Sequence, residues 1–410
     1  MSNGKAVAIL YRGEHERHLE ILRQAVRAVA DSGMSSVCLA PAGTFVPDHL
    51  ADFVHLYEPG ADDNSRIASY IRHQLADLTL SRVIALAEQD VERAALLRQV
   101  LGIPGLTPRE TVCFRDKNAM AATAAEEGLL TAESCQPHTL KTVEEFANRV
   151  GFPVVIKPFN GVSCTSTYKV SSNSELERLW PLIEERRHDF RVEAFVHGRQ
   201  FHVDCVLRDG EVVFEAVSEY TATILDNLGS GPLGSVTHVN AQAEPAHLDM
   251  MHQNREIVRR FGLSTGIVHT EFYVRDDGAI IFGETAARMA GGYIATMYEA
   301  AFGIELAYTW IRTEIDPAYT WKAVEARPAA AEFLWTGSTG IIESLTSRDE
   351  LLAGEGVHDV KLWKQPGDAI APTEGSRGQD LGYVSVTGSA VKEARARIAE
   401  VRSSFSVTCG

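Results

Sequence analysis

Short apolar runs and amphipathic helical patterns alternate along the first quarter of the chain. The apolar runs are typical of buried strands and lie at residues 6–10, 36–39, 53–56 and 83–86. The helical patterns that separate or follow them lie at residues 15–31, 64–76 and 91–101. Strands that alternate with helices favour a parallel sheet. We therefore predict a doubly wound α/β domain over residues 1–112, with ligands expected beyond the carboxyl ends of its strands.

The middle of the chain predicts two lobes joined by a connector. Its elements are a helix capped by Asp116, a helix at 143–150, a strand at 153–156 and a strand pair at 200–207 and 212–217 turned at Asp209-Gly210. Residues 193–196 lie between the two groups, and an extended connector offers backbone donors and acceptors that suit an adenine edge. We predict a small lobe over 113–190 and a large lobe over 191–315.

Residues 266–292 predict a β-hairpin. Asp277-Gly278 is a favoured two-residue loop between apolar, β-rich runs. That loop sets the pairs Asp276 with Ala279, Val274 with Ile281, Tyr273 with Phe282, and Glu271 with Glu284. The hairpin therefore brings two carboxylates face to face.

Opposed carboxylates destabilise a sheet unless something neutralises them. Mg²⁺ takes one or two carboxylates and completes its shell with water and phosphate oxygens. Arg288 and the Gly291-Gly292 pair follow the second glutamate, which adds a cation and close backbone access. The pattern indicates a phosphate-handling metal site; the alternatives are one protonated glutamate or a solvated pair at a frayed hairpin end.

Residues 316–410 predict an α+β domain without obvious chemistry. Strand patterns lie at 331–335, 341–342, 360–363 and 383–386, and a helix pattern lies at 391–403.

Composition narrows the class of protein. The 410 residues carry a formal charge of −16, which argues against nucleic-acid binding, since that normally needs a basic surface. The six cysteines are scattered and form no zinc-site spacing, so we expect reduced thiols. No apolar run approaches the length of a membrane span, and the N-terminus lacks a signal-peptide pattern. We expect a soluble cytoplasmic protein.

Two lysines stand where a cation needs an anionic partner. Lys117 falls in the first turn of a helix, where the dipole disfavours positive charge, and Lys157 ends a buried strand. The hydroxyl-rich stretch 160–167 follows Lys157 and can cradle phosphates with its backbone amides. The alternatives are a Lys117 that points into water and a Ser/Thr loop that binds nothing.

Several other features have weaker interpretations. We interpret Glu88, just after the strand at 83–86, as a surface loop residue, with ligand contact as the alternative. His269 either orients the metal site or is a packed or surface histidine. Residues 229–234 satisfy G-x-G-x-x-G, but no βαβ unit surrounds them, so we reject a dinucleotide site. Residues 221–240 predict a long polar loop for substrate contacts.

Taken together, these pieces resemble the ATP-grasp superfamily of carboxylate–amine ligases, and in particular the L-amino acid ligases. The segments that carry the resemblance, in the order of the family, are EQDVERAALLRQVLGIPG, FRDKNAM, GFPVVIKPFNGVS, VEAFVHGRQFHVD, HTEFYV and FGETAARMAGG. The resemblance implies an ATP-grasp fold in which a two-lobed nucleotide-binding core follows the N-terminal doubly wound (preATP-grasp) domain and precedes the C-terminal α+β domain.

The resemblance also implies roles for single residues. Lys117 and Lys157 would hold nucleotide phosphates, with Lys157 and Arg288 acting in the reaction. The stretch 160–167 would be a lid that contacts phosphate through Ser163, Thr165 and Ser166. The connector residues expected at adenine are Glu193, Ala194 and Val196, and Glu271 and Glu284 would hold Mg²⁺, with Mn²⁺ as an alternative.

The sequence departs from the family pattern at three places. Gln200 stands where a glutamate usually meets the ribose, Ala286 stands where an asparagine commonly completes the metal set, and the lid is rich in Ser and Thr rather than Gly. The resemblance implies an ATP-dependent ligase that activates a small carboxylate, an amino acid or related metabolite, as an acyl-phosphate. It then joins the acid to an amine in an amide or peptide bond, releasing ADP and phosphate. The alternatives are an ATP-grasp enzyme that activates bicarbonate or formate, and a non-catalytic ATP-binding regulatory protein. Because relatives are often dimers, a homodimer is the assembly that the resemblance suggests; we expect no nucleic-acid or membrane partner.

Overall fold

The N-terminal sheet follows the predicted alternation of strands and helices. The computed structural model describes residues 4–13, 16–60, 63–227, 231–240, 244–322, 324–371 and 379–410. The first sheet is parallel and has the order β3-β2-β1-β4, with strands β1 (Gly4–Leu10), β2 (Ser35–Pro41), β3 (Phe53–Tyr57) and β4 (Leu78–Ala85). Its helices are α1 (Glu16–Ala30), α2 (Asp63–Gln74) and α3 (Val91–Leu101).

The order of this sheet reverses between β1 and β4, so the loops after these two strands flank one crevice. Arg12 follows β1, and its guanidinium donates to both carboxylate oxygens of Asp90 at 2.8 and 2.9 Å. Asp90 ends a short 3₁₀ helix, Glu88–Asp90, that follows β4. This pair ties together the two loops at the carboxyl end of the sheet, where the sequence predicts a ligand site.

Two capped helices lead from the first domain into the core. Helix α4 (Pro108–Arg115), which was not predicted from the sequence, begins with a capping box formed by Thr107 and Glu110. Helix α5 (Lys117–Glu126) begins at the predicted cap, because Asp116 accepts from the amides of the second and third residues beyond it. The junction of α4 and α5 places Arg115 and Lys117 side by side.

The small lobe is a four-stranded sheet of order β6-β9-β7-β8. Its strands are β6 (Ser134–Cys135), β7 (Val154–Pro158), β8 (Tyr168–Val170) and β9 (Phe190–Ala194). Helices α6 (Leu140–Val150) and α7 (Asn173–Ile183) pack on it and bury an apolar core of their own. Residues 160–167, which we term the lid loop, join β7 to β8. Strand β9 belongs to this lobe, so the connector to the large sheet is residues 195–198.

The large sheet has the order β17-β19-β15-β12-β11-β10-β13-β14-β5. Its core strands are β5 (Leu130–Thr131), β10 (Arg199–Arg208), β11 (Glu211–Tyr220), β12 (Gly234–His238), β13 (Gly266–Val274) and β14 (Ile280–Ala286). Helices α9 (Ile294–Phe302) and α10 (Leu306–Ile315) contribute to the core on one face, and α5 and α8 (Pro245–Arg260) contribute on the other. The turn at Asp209 and Gly210 forms as predicted, with φ of 52° and 83°.

The C-terminal residues extend this same sheet. Strands β15 (Ala329–Trp335), β17 (Val357–Leu362) and β19 (Asp380–Thr387) continue it, and α12 (Val391–Ser404) packs on them. Three short strands form a separate sheet, β16 (Gly340–Leu345), β18 (Ala369–Ile370) and β20 (Val407–Cys409), and α11 (Arg348–Leu352) lies beside β17. No helix in the described ranges combines the length and apolarity needed to cross a membrane.

Candidate active site

The hairpin of β13 and β14 brings Glu271 opposite Glu284, as predicted, but through a different register. The loop has three residues, 276–278, because the Arg275 amide donates to the Ala279 carbonyl and Gly278 takes a φ of +83°. The observed pairs near the loop are Val274 with Ile280, Tyr273 with Ile281 and Phe272 with Phe282, so the predicted pairs Asp276–Ala279, Val274–Ile281 and Tyr273–Phe282 are wrong by one residue.

A bulge restores the predicted pairing of the two glutamates. The register shifts between Glu271 and Phe272, and Gly283 is the extra residue on the opposite strand. Side chains alternate along a strand, so without the bulge Glu284 would share the apolar face of Phe282. Gly283 instead turns Glu284 onto the face that carries Glu271.

Glu284 lies among positive charges. Its Oε2 atom is 3.5 Å from Lys117 Nζ and 3.8 Å from Lys157 Nζ. Burial alone would raise the pKa of Glu284, but the two ammonium groups outweigh it and lower the pKa to about 2. Lys117 is buried, so the alternative in which this lysine points into water is wrong. The carboxylate is ionised and faces the ends of β7 and α5.

Lys157 has a second carboxylate partner. Its Nζ lies 2.5 Å from Glu193 Oε1, and Arg191 Nε lies 3.5 Å from the same oxygen. Burial lowers the pKa of Lys157, but the Glu193 and Glu284 carboxylates raise it above its ordinary value. Burial raises the pKa of Glu193, but Lys157 and Arg191 bring it below the ordinary value. The Glu193 side chain therefore balances the charge of the lysine, and its expected contact with adenine stays a prediction.

Glu271 is held by neutral and cationic donors. Gln200 Nε2 donates to Glu271 Oε2 at 2.9 Å, and the Tyr220 hydroxyl donates to Oε1 at 3.2 Å. His269 Nε2 lies 3.6 Å from Oε1, and its Nδ1 bonds Asp204 Oδ1 at 2.9 Å. His269 is thus both packed in the interior and beside the glutamate.

Asp204 anchors a buried polar network behind Glu271. Burial would lower the pKa of His269, but the Asp204 carboxylate raises it to about 9. Asp204 also bonds His202 Nδ1 at 2.6 Å and accepts from the Tyr298 hydroxyl at 2.6 Å. His202, Asp204 and His269 could hold a metal ion as a set, but Asp204 already bonds both histidines. We interpret the network as the support that orients Glu271.

The lid loop closes on itself through two tight turns. Ser163, Cys164 and Ser166 have φ values of 53°, 57° and 54°, in the left-handed region that favours glycine. The Thr165 amide donates to the Val162 carbonyl at 3.0 Å. Each such residue stores on the order of 1 kcal/mol of strain, so this loop reaches with Ser and Cys a shape for which glycine is the usual residue.

Two cations hold the start of the lid loop. Arg115 Nη2 donates to the Asn160 carbonyl at 2.7 Å, and Lys117 Nζ donates to the Gly161 carbonyl at 3.0 Å. These contacts place the base of the loop over Arg115 and Lys117. The predicted phosphate contacts of Ser163, Thr165 and Ser166 stay predictions.

Arg288 is fixed by Glu88, which is not the surface residue that we predicted. Arg288 Nε and Nη2 lie 3.1 and 3.0 Å from Glu88 Oε2, while Arg115 Nη1 lies 2.5 Å from Glu88 Oε1. The Glu88 side chain is only 12% exposed. Burial lowers the pKa of Arg288, but Glu88 raises it above the ordinary value. The surface interpretation failed because two guanidinium groups from distant segments cover the carboxylate.

The connector backbone is engaged within the protein at Ala194, whose amide donates to the Glu133 carbonyl at 2.8 Å. The adenine contacts expected of Glu193, Ala194 and Val196 stay predictions. Both polar ends of Gln200 are engaged as well, because its Oε1 accepts from the Ile224 amide at 2.9 Å. A ribose contact by Gln200 would exchange one of these bonds.

The predicted substrate loop 221–240 is partly a strand. β12 occupies its end and pairs with β11, for example Ser235 with Tyr220, because alternating apolar and polar residues fit the sheet. Residues 228–230 lie outside the described residues, so the G-x-G-x-x-G segment is described only from Gly231 onward.

Sequence reasoning missed the partners that support the site. Arg115, Asp204 and Tyr220 were not singled out, although each is buried or nearly so and hydrogen-bonded there. The available signal was charge in apolar surroundings: Asp204 lies within the strand pattern 200–207, where an acid needs a partner. Ala286 stands where the family commonly has an asparagine that completes the metal ligands. It pairs directly with His269, so the histidine lies beside this position.

Comparisons with known proteins agree with this architecture. The family described as "ATP-grasp domain" matches residues 150–297, and that described as "L-amino acid ligase C-terminal domain 2" matches residues 332–409. The L-arginine-specific L-amino acid ligase of Bacillus subtilis is 24% identical over 347 residues, which cover 83% of this chain and 82% of that protein.

Solved structures share the fold over the whole chain. The L-amino acid ligase from Bacillus licheniformis has a TM-score of 0.79 at 18% identity and is covered completely, as is this chain. The biotin carboxylase domain dimer of the Hydrogenobacter thermophilus 2-oxoglutarate carboxylase has a TM-score of 0.72 at 15% identity, covering 100% of this chain and 91% of that one. The chain therefore carries an ATP-grasp domain followed by an L-amino acid ligase C-terminal domain, and these similarities support an ATP-dependent, ADP-forming carboxylate–amine ligase that resembles the L-amino acid ligases.

Proposed function

We propose that the enzyme joins an amino acid or a related small carboxylate to an amine, and that the cluster around Glu271 and Glu284 is where this happens. The observation that carries the proposal is the convergence of two opposed carboxylates with Lys117, Lys157 and Arg288. A triphosphate and a carboxylate are anions, so a site for both needs concentrated positive charge beside metal-binding oxygens.

The reaction divides into two steps. An oxygen of the substrate carboxylate attacks the γ-phosphorus of ATP, the bond to the β-phosphate oxygen breaks, and ADP leaves. The amine nitrogen then attacks the carbonyl carbon of the acyl-phosphate, phosphate leaves, and the nitrogen loses its proton to give the amide. Lys117 and Lys157 neutralise the transferring phosphoryl group, and Arg288 binds the substrate carboxylate or its acyl-phosphate. The lid loop excludes water, because water would hydrolyse the acyl-phosphate.

The residues present fit a divalent cation. Glu271 and Glu284 supply oxygen ligands of the kind Mg²⁺ prefers, and Tyr220, Gln200 and His269 orient the first of them. When bound, the cation neutralises charge on the phosphate oxygens. Mg²⁺ is our assignment, with Mn²⁺ as a substitute of the same ligand preference; homodimer formation and a cytoplasmic location stay predictions.

The experiment that tests the proposal measures product as well as ADP. The purified protein is incubated with Mg²⁺ and ATP against amino acids singly and in pairs, beginning with L-arginine because of the relative from Bacillus subtilis. ADP and phosphate are quantified and new amides are detected by mass. We expect ADP release that needs an acid and an amine together, with an amide mass that names both.

Two outcomes would contradict the proposal. ADP release stimulated by bicarbonate or formate without any amino acid would assign the enzyme to another ATP-grasp reaction. ATP binding without ADP release across all pools would indicate a regulatory protein. The absence of ADP release would contradict the proposal only if calorimetry showed that the protein still binds ATP.

The glycine bulge is expected to set the affinity for the cation. A Cβ at Gly283 would lie 3.0 Å from the Glu271 carbonyl oxygen and 3.1 Å from a Tyr273 ring carbon. Because the strands must shift to admit it, we expect Gly283→Ala to raise the Mg²⁺ concentration for half-maximal ADP formation about 10-fold. A titration of ADP formation with Mg²⁺ measures this effect.

Gly278→Ala is the matched control. Gly278 lies at the far end of the same hairpin with a φ of +83° and open space around it. Its substitution should lower the free energy of unfolding by about 1 kcal/mol without changing the Mg²⁺ requirement. If Gly283→Ala kept the wild-type Mg²⁺ requirement, the bulge would not be what positions Glu284.

A further inference from the structure

A continuous chain of polar contacts links the arginine of the proposed substrate site to the lid loop. Arg288 contacts Glu88 Oε2 through Nε and Nη2, Glu88 Oε1 contacts Arg115 Nη1, and Arg115 Nη2 donates to the Asn160 carbonyl. The four groups come from four different segments of the chain. Glu88 stands at the centre, and it is the residue that the N-terminal domain contributes.

Glu88 fixes the orientation of the Arg288 guanidinium as well as neutralising its charge. Two guanidinium N–H groups contact one carboxylate oxygen, and Nη1 donates to the Met289 carbonyl at 3.1 Å. A guanidinium has five N–H groups, so two have no partner among the described residues and are available to an anion. Three contacts fix the plane of this rigid group and with it the directions of the other two N–H groups.

The same carboxylate also restrains the lid base. Arg115 is 7% exposed, and its two described carboxylate neighbours are Glu88 at 2.5 Å and Glu92 at 3.8 Å. Without Glu88, the nearest carboxylate among the described residues is that of Glu92, which lies 3.8 Å from the guanidinium and is more than half exposed. The contact of Arg115 with the Asn160 carbonyl then loses the anchor that fixes its geometry.

We propose that Glu88 is a positioning residue that sets Arg288 for the substrate carboxylate and, through Arg115, fixes the base of the lid loop. The inference rests on the proposed function, in which Arg288 contacts the acid or its acyl-phosphate. Loss of Glu88 weakens binding of the acid and admits water to the activated intermediate. Two quantities therefore change together: the KM for the acid and the ratio of ADP to amide.

Glu88→Gln tests the inference, since it keeps the length of the side chain and removes its charge. We expect the KM for the carboxylate substrate to rise about 10-fold, with the KM for ATP within about twofold, and the ADP to amide ratio to rise above the wild-type value. Glu92→Gln is the control, because it removes the same charge one helical turn away and contacts Arg115 but, in the described residues, not Arg288. Its kinetic constants should match the wild type.

Glu88→Asp is a second variant that keeps the inference testable if Glu88→Gln does not fold. It retains the negative charge, but its side chain is one methylene shorter and cannot span both guanidinium groups, so the same two quantities should change to a smaller extent. Thermal unfolding of each variant is measured first. A folded Glu88→Gln or Glu88→Asp with wild-type KM for the acid and wild-type ADP to amide ratio would overturn the inference. A wild-type enzyme that forms no amide would instead overturn the proposed function.

Discussion

Glu284→Gln is expected to reduce ADP formation by at least about 100-fold while the fold stays intact. The substitution removes the charge of a proposed cation ligand and leaves Lys117 and Lys157 without the carboxylate that lies 3.5 and 3.8 Å from them. The Glu284 side chain is 37% exposed, so an amide there can still be hydrated. ADP release with saturating Mg²⁺ and ATP measures the effect, and thermal unfolding reports the fold.

Glu211→Gln is the matched control for this prediction. Glu211 begins β11 of the same large sheet and is exposed, away from the site. It should keep wild-type turnover. A folded Glu284→Gln enzyme that still turned over ATP would remove Glu284 from the metal site and leave the paired glutamates as a feature of the hairpin alone.

Lys157→Met should lower kcat/KM for ATP by on the order of 10²-fold. The methionine preserves the apolar stem that ends β7 but removes the ammonium group that lies between Glu193 and Glu284. Breaking a buried pair also costs stability, on the order of 3 kcal/mol, so unfolding must be followed alongside the kinetics. Steady-state rates at varied ATP give the first quantity and denaturant titration gives the second.

Lys141→Met is the control that shows whether the loss of any lysine charge from the small lobe changes the ATP kinetics. Lys141 lies on α6 of the same small lobe with its side chain 82% exposed. We expect it to match the wild type in both measurements. Unchanged ATP kinetics in a folded Lys157→Met enzyme would show that the lysine serves only to neutralise Glu193 and Glu284.

Local structure could be predicted where residues close together in sequence determine it. The cap at Asp116, the turn at Asp209 and Gly210, and the pairing of Glu271 with Glu284 all depend on residues close together in the chain. The predicted pairing of the two glutamates is correct although the predicted two-residue loop is wrong. The third loop residue and the one-residue bulge shift the register in opposite directions, so their effects cancel. A bulge depends on packing across two faces, which a single strand pattern does not encode.

The supporting residues could not be predicted, because their partners lie far away in sequence. Glu88 and Arg288 are 200 positions apart, and Asp204 and His269 are 65 positions apart. A charged residue after a strand is usually exposed, and only the tertiary fold shows that two arginines cover Glu88. A loop at residues 160–167 could be predicted from its composition, but its left-handed Ser and Cys residues follow from the path that the chain must take between β7 and β8.

The large sheet makes the C-terminal segment a poor module for recombination. Strand β12 of the nucleotide-binding core pairs with β15, and β19 and β17 continue from it, so a cut near residue 315 passes through one hydrogen-bonded ladder. Truncation there would leave β12 as an exposed edge that can pair with other chains. A chimera between two such ligases would have to match the register of Ser235 with Ala331 on both sides of the junction. Exchange of loops within the sheet keeps that ladder whole, which makes loops the more practical units for redesigning substrate choice.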